Sequence, residues 1–208
     1  RLGRVESLGV IVLTGGGSTR MGRHKPALDV GGRPIIARIL EACAGLPLVV
    51  AGDGAAVPPH VRVVREEPPG GGPVAGIAAG FTALISPYAA HSAPSAPSLS
   101  RVAVLAGDLP FLTRAALEDL DGALEEDPSA ELALAVDHEQ RVNWLCGVWR
   151  TGVLARRLEA VGDPAGVSVK RLIDSSCRAL VADASGWSAD VDTPDDLAAA
   201  RDAATRQR

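Results

Sequence analysis

Thirteen residues in a row, Leu13-Thr14-Gly15-Gly16-Gly17-Ser18-Thr19-Arg20-Met21-Gly22-Arg23-His24-Lys25, put three adjacent glycines, a hydroxyl pair and several cations into one connection after an apolar run. Glycine lets main-chain N–H groups approach phosphate oxygens with no Cβ in the way, and Arg20 and Lys25 add positive charge where a pyrophosphate would depart. The segment reads as a triphosphate cradle, built by Gly15, Gly16, Gly17 and Ser18 through main-chain donors. His24 reads as a spectator among those cations. Two common phosphate motifs do not fit. A Walker loop needs Gly-x4-Gly-Lys-Ser/Thr, whereas Gly22 precedes Arg23-His24-Lys25-Pro26, and the Gly-x-Gly-x-x-Gly spacing is absent from Gly15 or Gly17.

Carboxylates complete the chemistry. Leu105-Ala106-Gly107-Asp108-Leu109-Pro110 places Asp108 just past an apolar, strand-like run, where an oxygen ligand suits a hard cation such as Mg2+ that keeps waters and substrate phosphates. Near the other end, Asp190-Val191-Asp192-Thr193-Pro194-Asp195-Asp196 would put Asp190 and Asp192 on one face if extended. Asp195 and Asp196 are assigned to the helix start that Thr193 and Pro194 announce. A second glycine cluster, Gly70-Gly71-Gly72-Pro73-Val74-Ala75-Gly76, leads into a helix. Lys170 and Arg171 offer positive charge to an anionic second substrate or to solvent. Trp144 and Trp149 are either core or pocket walls.

These residues need a scaffold that gathers them. Leu8 to Leu13 reads as a strand buried on both faces, followed by a helix opened by Pro34 and ended by Gly45, and a strand from Leu46 to Ala51. The alternation continues through a strand Val61 to Val64, a helix Val74 to Ile85, a strand Val102 to Ala106, a helix from Thr113 to Leu124 and a strand Leu132 to Val136. Val142 to Trp149 is a further strand, followed by helical stretches at Thr151 to Ala160 and Val169 to Ile173, a strand Arg178 to Ala182 and a last helix to about Ala204. Such alternation predicts a mostly parallel sheet with helices on both faces, and ligands beyond the strands' carboxyl ends.

With 208 residues and 47% hydrophobic content the chain reads as one domain, 1–208, in which the Ser/Pro/Ala-rich stretch 86–100 is a low-complexity surface insertion. A net charge of −4 provides no basic field for nucleic acid. No run of about 18 apolar residues and no leader pattern is seen, so the expectation is a cytoplasmic chain with no membrane partner. Cys43, Cys146 and Cys177 lack metal or redox spacing and are expected to be buried thiols.

The glycine loop resembles the signature Leu-x-Gly-Gly-x-Ser-x-Arg-Met-Gly-x-x-Lys of nucleotidyltransferases, most closely the molybdenum cofactor guanylyltransferases of the MobA type. The order of motifs agrees: Gly72, Pro73, Ala75 and Gly76 match Gly-Pro-x-Ala-Gly, Gly107-Asp108-Leu109-Pro110 matches Gly-Asp-x-Pro, and Asp192-Thr193-Pro194 matches the C-terminal acidic motif. The resemblance implies a three-layer α/β/α Rossmann-like nucleotidyltransferase fold with a mostly parallel central sheet. It also implies a reaction in which the phosphate of molybdopterin attacks the α-phosphorus of GTP and releases pyrophosphate. Leu13, Thr14, the glycines, Ser18, Lys25 and Gly72 to Gly76 would then hold nucleotide, and Arg20, Lys25 and Asp108 would be catalytic. Asp108 with Asp192 would carry Mg2+, and Asn143, Trp144, Lys170 and Asp190 would face the second substrate. Glu66 or Glu67 stands where members often carry an Asp. Gly15-Gly16 favours guanine over cytosine. Transient molybdoenzyme or cofactor-delivery partners are also implied. The alternatives are a cytidylyl- or other nucleotidyltransferase acting on a different phosphate acceptor such as a sugar phosphate, and a catalytically silent nucleotide-binding relative.

Overall fold

Strand β1 (Leu8–Leu13) is buried at every position, so its alternation serves two cores at once. Val10 and Val12 belong to one apolar cluster, Ile11 and Leu13 to another on the opposite face. This is how a parallel strand covered on both sides must be composed. The computed structural model describes residues 8–15, 25–86 and 99–206. Gly16, Gly17, Ser18 and Arg20 of the cradle, and most of the 86–100 insertion, lie outside the described residues.

Beyond β1 the chain continues through a hairpin of β2 (Asp29–Val30) and β3 (Arg33–Pro34), helix α1 (Ile35–Ala42), strands β4 (Leu48–Ala51) and β5 (Arg62–Val64), and helix α2 (Pro73–Ile85). Strand β6 (Arg101–Ala106), helix α3 (Arg114–Glu126), strands β7 (Leu132–Val136) and β8 (Val142–Arg150), helices α4 (Thr151–Val161) and α5 (Val169–Ile173), strand β9 (Arg178–Ala182) and helix α6 (Pro194–Arg206) follow. One seven-stranded sheet has the order β5-β4-β1-β6-β8-β7-β9. Within it β8 alone runs against its neighbours, pairing antiparallel with both β6 and β7. Helices α1, α3 and α6 cover one face, and α2, α4 and α5 cover the other.

Element boundaries follow from local chemistry. Thr113 caps α3, its hydroxyl accepting the Ala116 N–H at 3.1 Å. Helix α1 stops at Ala42, before Gly45, because Ala44 and Leu46 turn back onto the carbonyls of Glu41 and Cys43; β4 consequently begins at Leu48 rather than Leu46. The β2–β3 hairpin, absent from the sequence-based expectation, is made by Gly31 and Gly32, both at positive φ (64° and 82°), as a two-residue turn of the type that matches strand twist requires.

From β1 the chain passes to β4 and β5 on one side, then returns to β6 on the other. That reversal puts the carboxyl ends of β1 and β6 at the topological switch point, the usual ligand position in open α/β sheets. Among the described residues, no helix is long and apolar enough to cross a membrane.

Candidate nucleotide-transfer site

The carboxyl ends of β1 and β6 are joined closely enough to exclude side chains. Gly107 N–H donates to the Leu13 carbonyl at 2.8 Å. A methyl group on Gly107 would lie 2.7 Å from that same oxygen and 3.1 Å from Pro26 Cγ. The glycine of the Gly-Asp-x-Pro motif is thus a steric requirement. Pro26 is buried in a 3-10 turn, Lys25–Ala27, and rests against Gly107, which brings their neighbours, Lys25 and Asp108, face to face.

Lys25 Nζ stands 3.5 Å from Asp108 Oδ2 and also hydrogen-bonds Asp192, residues 83 and 167 positions away along the chain. Burial pushes the Asp108 carboxyl up to about 6; Lys25 opposes that shift, while the negative charges of Asp190 and Asp192 add to it. For Lys25 burial acts downward, yet the bond to Asp192 and the two carboxylate charges hold its ammonium above the ordinary lysine value. The Asp108 Oδ1 atom is buried with no hydrogen-bond partner. Such an orphaned acceptor beside further carboxylates fits a hard cation. Among the described residues, no group of three or more His, Cys, Asp or Glu side chains is placed to hold a metal by itself.

Thr14 and Gly15 continue from β1. Thr14 is buried; its N–H donates to Ala51 O at 2.9 Å and its hydroxyl to Asp53 O at 2.7 Å, so the start of the loop is tied to the end of β4. Gly52, with φ at 126°, touches Gly15 so closely that any Cβ there would collide with the Gly15 main chain. Of the two glutamates, Glu66 is the one facing this corner: its carboxylate accepts the Gly70 N–H at 3.1 Å, and its oxygens lie 3.8 and 3.9 Å from the place of a Cβ on Gly15. Gly72 and Pro73 open α2, with Ala75 and Gly76 buried behind them. Gly76 and Gly80 face β1, where added methyl groups would meet Leu13 at 3.3 Å and Ile11 at 2.6 Å, so α2 lies directly on the strand that ends in the loop.

The acidic C-terminal segment reaches the same edge. Val191 N–H donates to the Asp108 carbonyl at 3.1 Å. Asp196 accepts the N–H groups of Asp192 (3.0 Å) and Thr193 (2.7 Å), and Thr193 Oγ1 accepts the Asp196 N–H at 3.2 Å. This reciprocal cap accounts structurally for Asp196 and fixes the backbone of Asp192. Asn143 Nδ2 donates to Ser188 O at 2.8 Å, so it braces this segment. Trp144 is half-buried, with Lys170 and Arg178 over its ring at 5.8 and 5.6 Å, while Trp149 is core. Cys43 and Cys146 are buried as expected. Cys177 is exposed, contrary to expectation, because it stands just before β9, an edge strand.

The model of the MobA-like NTP transferase domain matches residues 10–180. The chain belongs to that family. As a MobA-like chain it is a nucleotidyltransferase. It is 34% identical over 151 residues to the "Molybdenum cofactor guanylyltransferase" of Rhizobium johnstonii, covering 72% of this chain and 66% of that one. It is 32% identical over 198 residues to the Mycobacterium avium protein named "Probable molybdenum cofactor guanylyltransferase", covering 91% and 92%. Among solved structures, molybdopterin-guanine dinucleotide biosynthesis protein A from Archaeoglobus fulgidus superposes with a TM-score of 0.72 at 20% identity, over 95% of this chain and 99% of that one. The 2-C-methyl-D-erythritol 4-phosphate cytidylyltransferase of Thermus thermophilus superposes at 0.65 and 19%, over 95% and 98%. At those identities the likeness establishes the Rossmann-like fold that this MobA-like chain shares with them.

Proposed function

We propose that this chain, acting as one domain in the cytoplasm, joins GMP from GTP to the phosphate of molybdopterin, bare or carrying molybdenum, with release of pyrophosphate. The observation that carries the reading is the meeting of Lys25 with Asp108 and Asp192 at the sheet's switch point, beside the Thr14–Gly15 corner. The names of the curated relatives support the same acceptor and nucleotide.

An anionic phosphate approaching a triphosphate meets charge repulsion first, so neutralisation and alignment matter more than proton transfer. Asp108, with Asp192, would hold Mg2+, whose positive charge offsets that repulsion at the α-phosphate. Lys25, with Arg20, would balance the pyrophosphate as it leaves. The main chain of Gly15 to Ser18 would hold phosphate oxygens. Thr14, Gly15 and Gly72 to Gly76 would border the base and ribose, with Glu66 offering acceptor oxygens to ribose hydroxyls. Asn143, Trp144, Lys170 and Asp190 would border the acceptor, whose product then passes to a molybdoenzyme or delivery partner.

Incubation with molybdopterin, Mg2+ and each nucleoside triphosphate, followed by mass analysis, tests this. The guanine dinucleotide and pyrophosphate are expected with GTP. A product formed only with CTP, or only from a sugar phosphate, would replace the reading, and no pyrophosphate with any pair would leave a nucleotide-binding protein without transferase activity on these substrates.

A further inference from the structure

Asp183 is 4% exposed, and among the described residues no cation pairs with it. Its own N–H donates to Val136 O at 2.8 Å, anchoring it where β9 leaves the sheet beside β7. Its carboxylate then accepts four hydrogen bonds from the segment that follows: Ser185 N (3.0 Å), Gly186 N, Ser188 N and Ser188 Oγ (each 2.7 Å). Burial alone would raise this carboxyl, yet the donors, Ser188 foremost, hold it below the ordinary range. A buried charge without a counter-ion is costly unless it organises its surroundings. Here it wraps a short loop around itself.

What that loop carries is the acidic side of the site. Ser188, held twice by Asp183, is gripped again through its carbonyl by Asn143. Two residues later Asp190 begins the acidic run, and Val191, 1% exposed, is bound to the Asp108 carbonyl. Asp192 then reaches Lys25. The connection from β9 to α6 is therefore tied at its start by the Asp183 carboxylate and at its end by the Thr193–Asp196 cap. We infer that Asp183 is a positioning residue for nucleotidyl transfer: by folding residues 185–188 around its carboxylate it sets Asp190 and Asp192 opposite Lys25 and Asp108. The inference rests on the proposed reaction only for its kinetic assay.

The Asp183→Asn variant keeps size but turns a donor toward the two Ser188 donors. Its kcat is expected to fall about tenfold while KM for GTP stays within about twofold, and in an Asp192→Asn background the same change should cost less than about twofold, because both act through one group. A second readout needs no turnover. Lys25 and Lys170 are the only lysines, so carbon-13 reductive methylation yields two lysine resonances, assigned by Lys170→Arg. The Lys25 resonance should move in Asp183→Asn in the direction it moves in Asp192→Asn. Unchanged kcat, independent multiplication of the two losses, or an unmoved Lys25 signal would overturn the inference. A wild type that forms no product overturns the proposed reaction instead, and the Lys25 signal still decides this point. Should Asp183→Asn fail to fold, Ser188→Ala removes one donor and is read in the same way, with a loss of about twofold to threefold expected.

Discussion

At the residue scale, charge placement dominates. Lys25 serves Asp108 and Asp192 together, so removing it leaves a mostly buried carboxylate without its counter-charge. Lys25→Ala and Asp108→Asn are each expected to lower kcat about a hundredfold or more with the fold retained, checked by pyrophosphate release beside circular dichroism. Asp183 supplies a pH signature. Its folded value lies below the ordinary carboxylate value of about 3.9, so its stabilisation is present above that pH and is lost as pH falls through the folded value. Asp183→Asn should therefore cost about 2 kcal/mol at pH 7, with the gap closing below about pH 4 in urea titrations. The thiols give a simpler check. Burial pushes Cys43 up to about 12 and Cys146 higher still, whereas Cys177 is exposed, so one thiol per native chain should react rapidly with an aromatic disulfide reagent.

At the scale of elements, the site depends on how closely strand ends approach one another. Gly52 and Gly107 have no room for a Cβ, the first against Gly15 and the second against Leu13 O. Gly52→Ala, strained at φ 126° as well as crowded, is expected to cost about 2–4 kcal/mol and to weaken nucleotide binding, read by thermal unfolding and isothermal titration. The β-loop-α order was legible because apolar runs, capping residues and glycines recur where such elements must begin and end. Thr113 capping α3 shows this directly. The β2–β3 hairpin and the antiparallel setting of β8 were not legible. A strand's composition does not reveal its neighbour's direction, which depends on the length and path of the intervening chain.

For the molecule as a whole, one sheet separates two apolar clusters, and every central strand contributes to both. Neither cluster is complete without the shared strands, so unfolding is expected as a single transition. Leu134→Ala, deleting a side chain with 0% exposure, should lower stability by about 3 kcal/mol without splitting that transition in calorimetry. The strand order also gathers the site, since β1 and β6 are adjacent although their sequences are separated by four strands and two α-helices.

By itself the sequence carried the fold class and a roster of candidate groups, since alternating apolar runs and capped helices mark a mostly parallel sheet, and the resemblance of its ordered motifs around Gly15, Gly72, Asp108 and Asp192 pointed to the family. Only the tertiary structure decided that Lys25 faces Asp108 and Asp192, that Glu66 rather than Glu67 turns toward Gly15, that Asn143 braces a loop, and that Asp183, silent as a sequence feature, organises the acidic segment. The reason is physical. Local patterning sets backbone conformation and burial, but which distant charges meet depends on strand order and register, where each contact is the joint result of many separated residues.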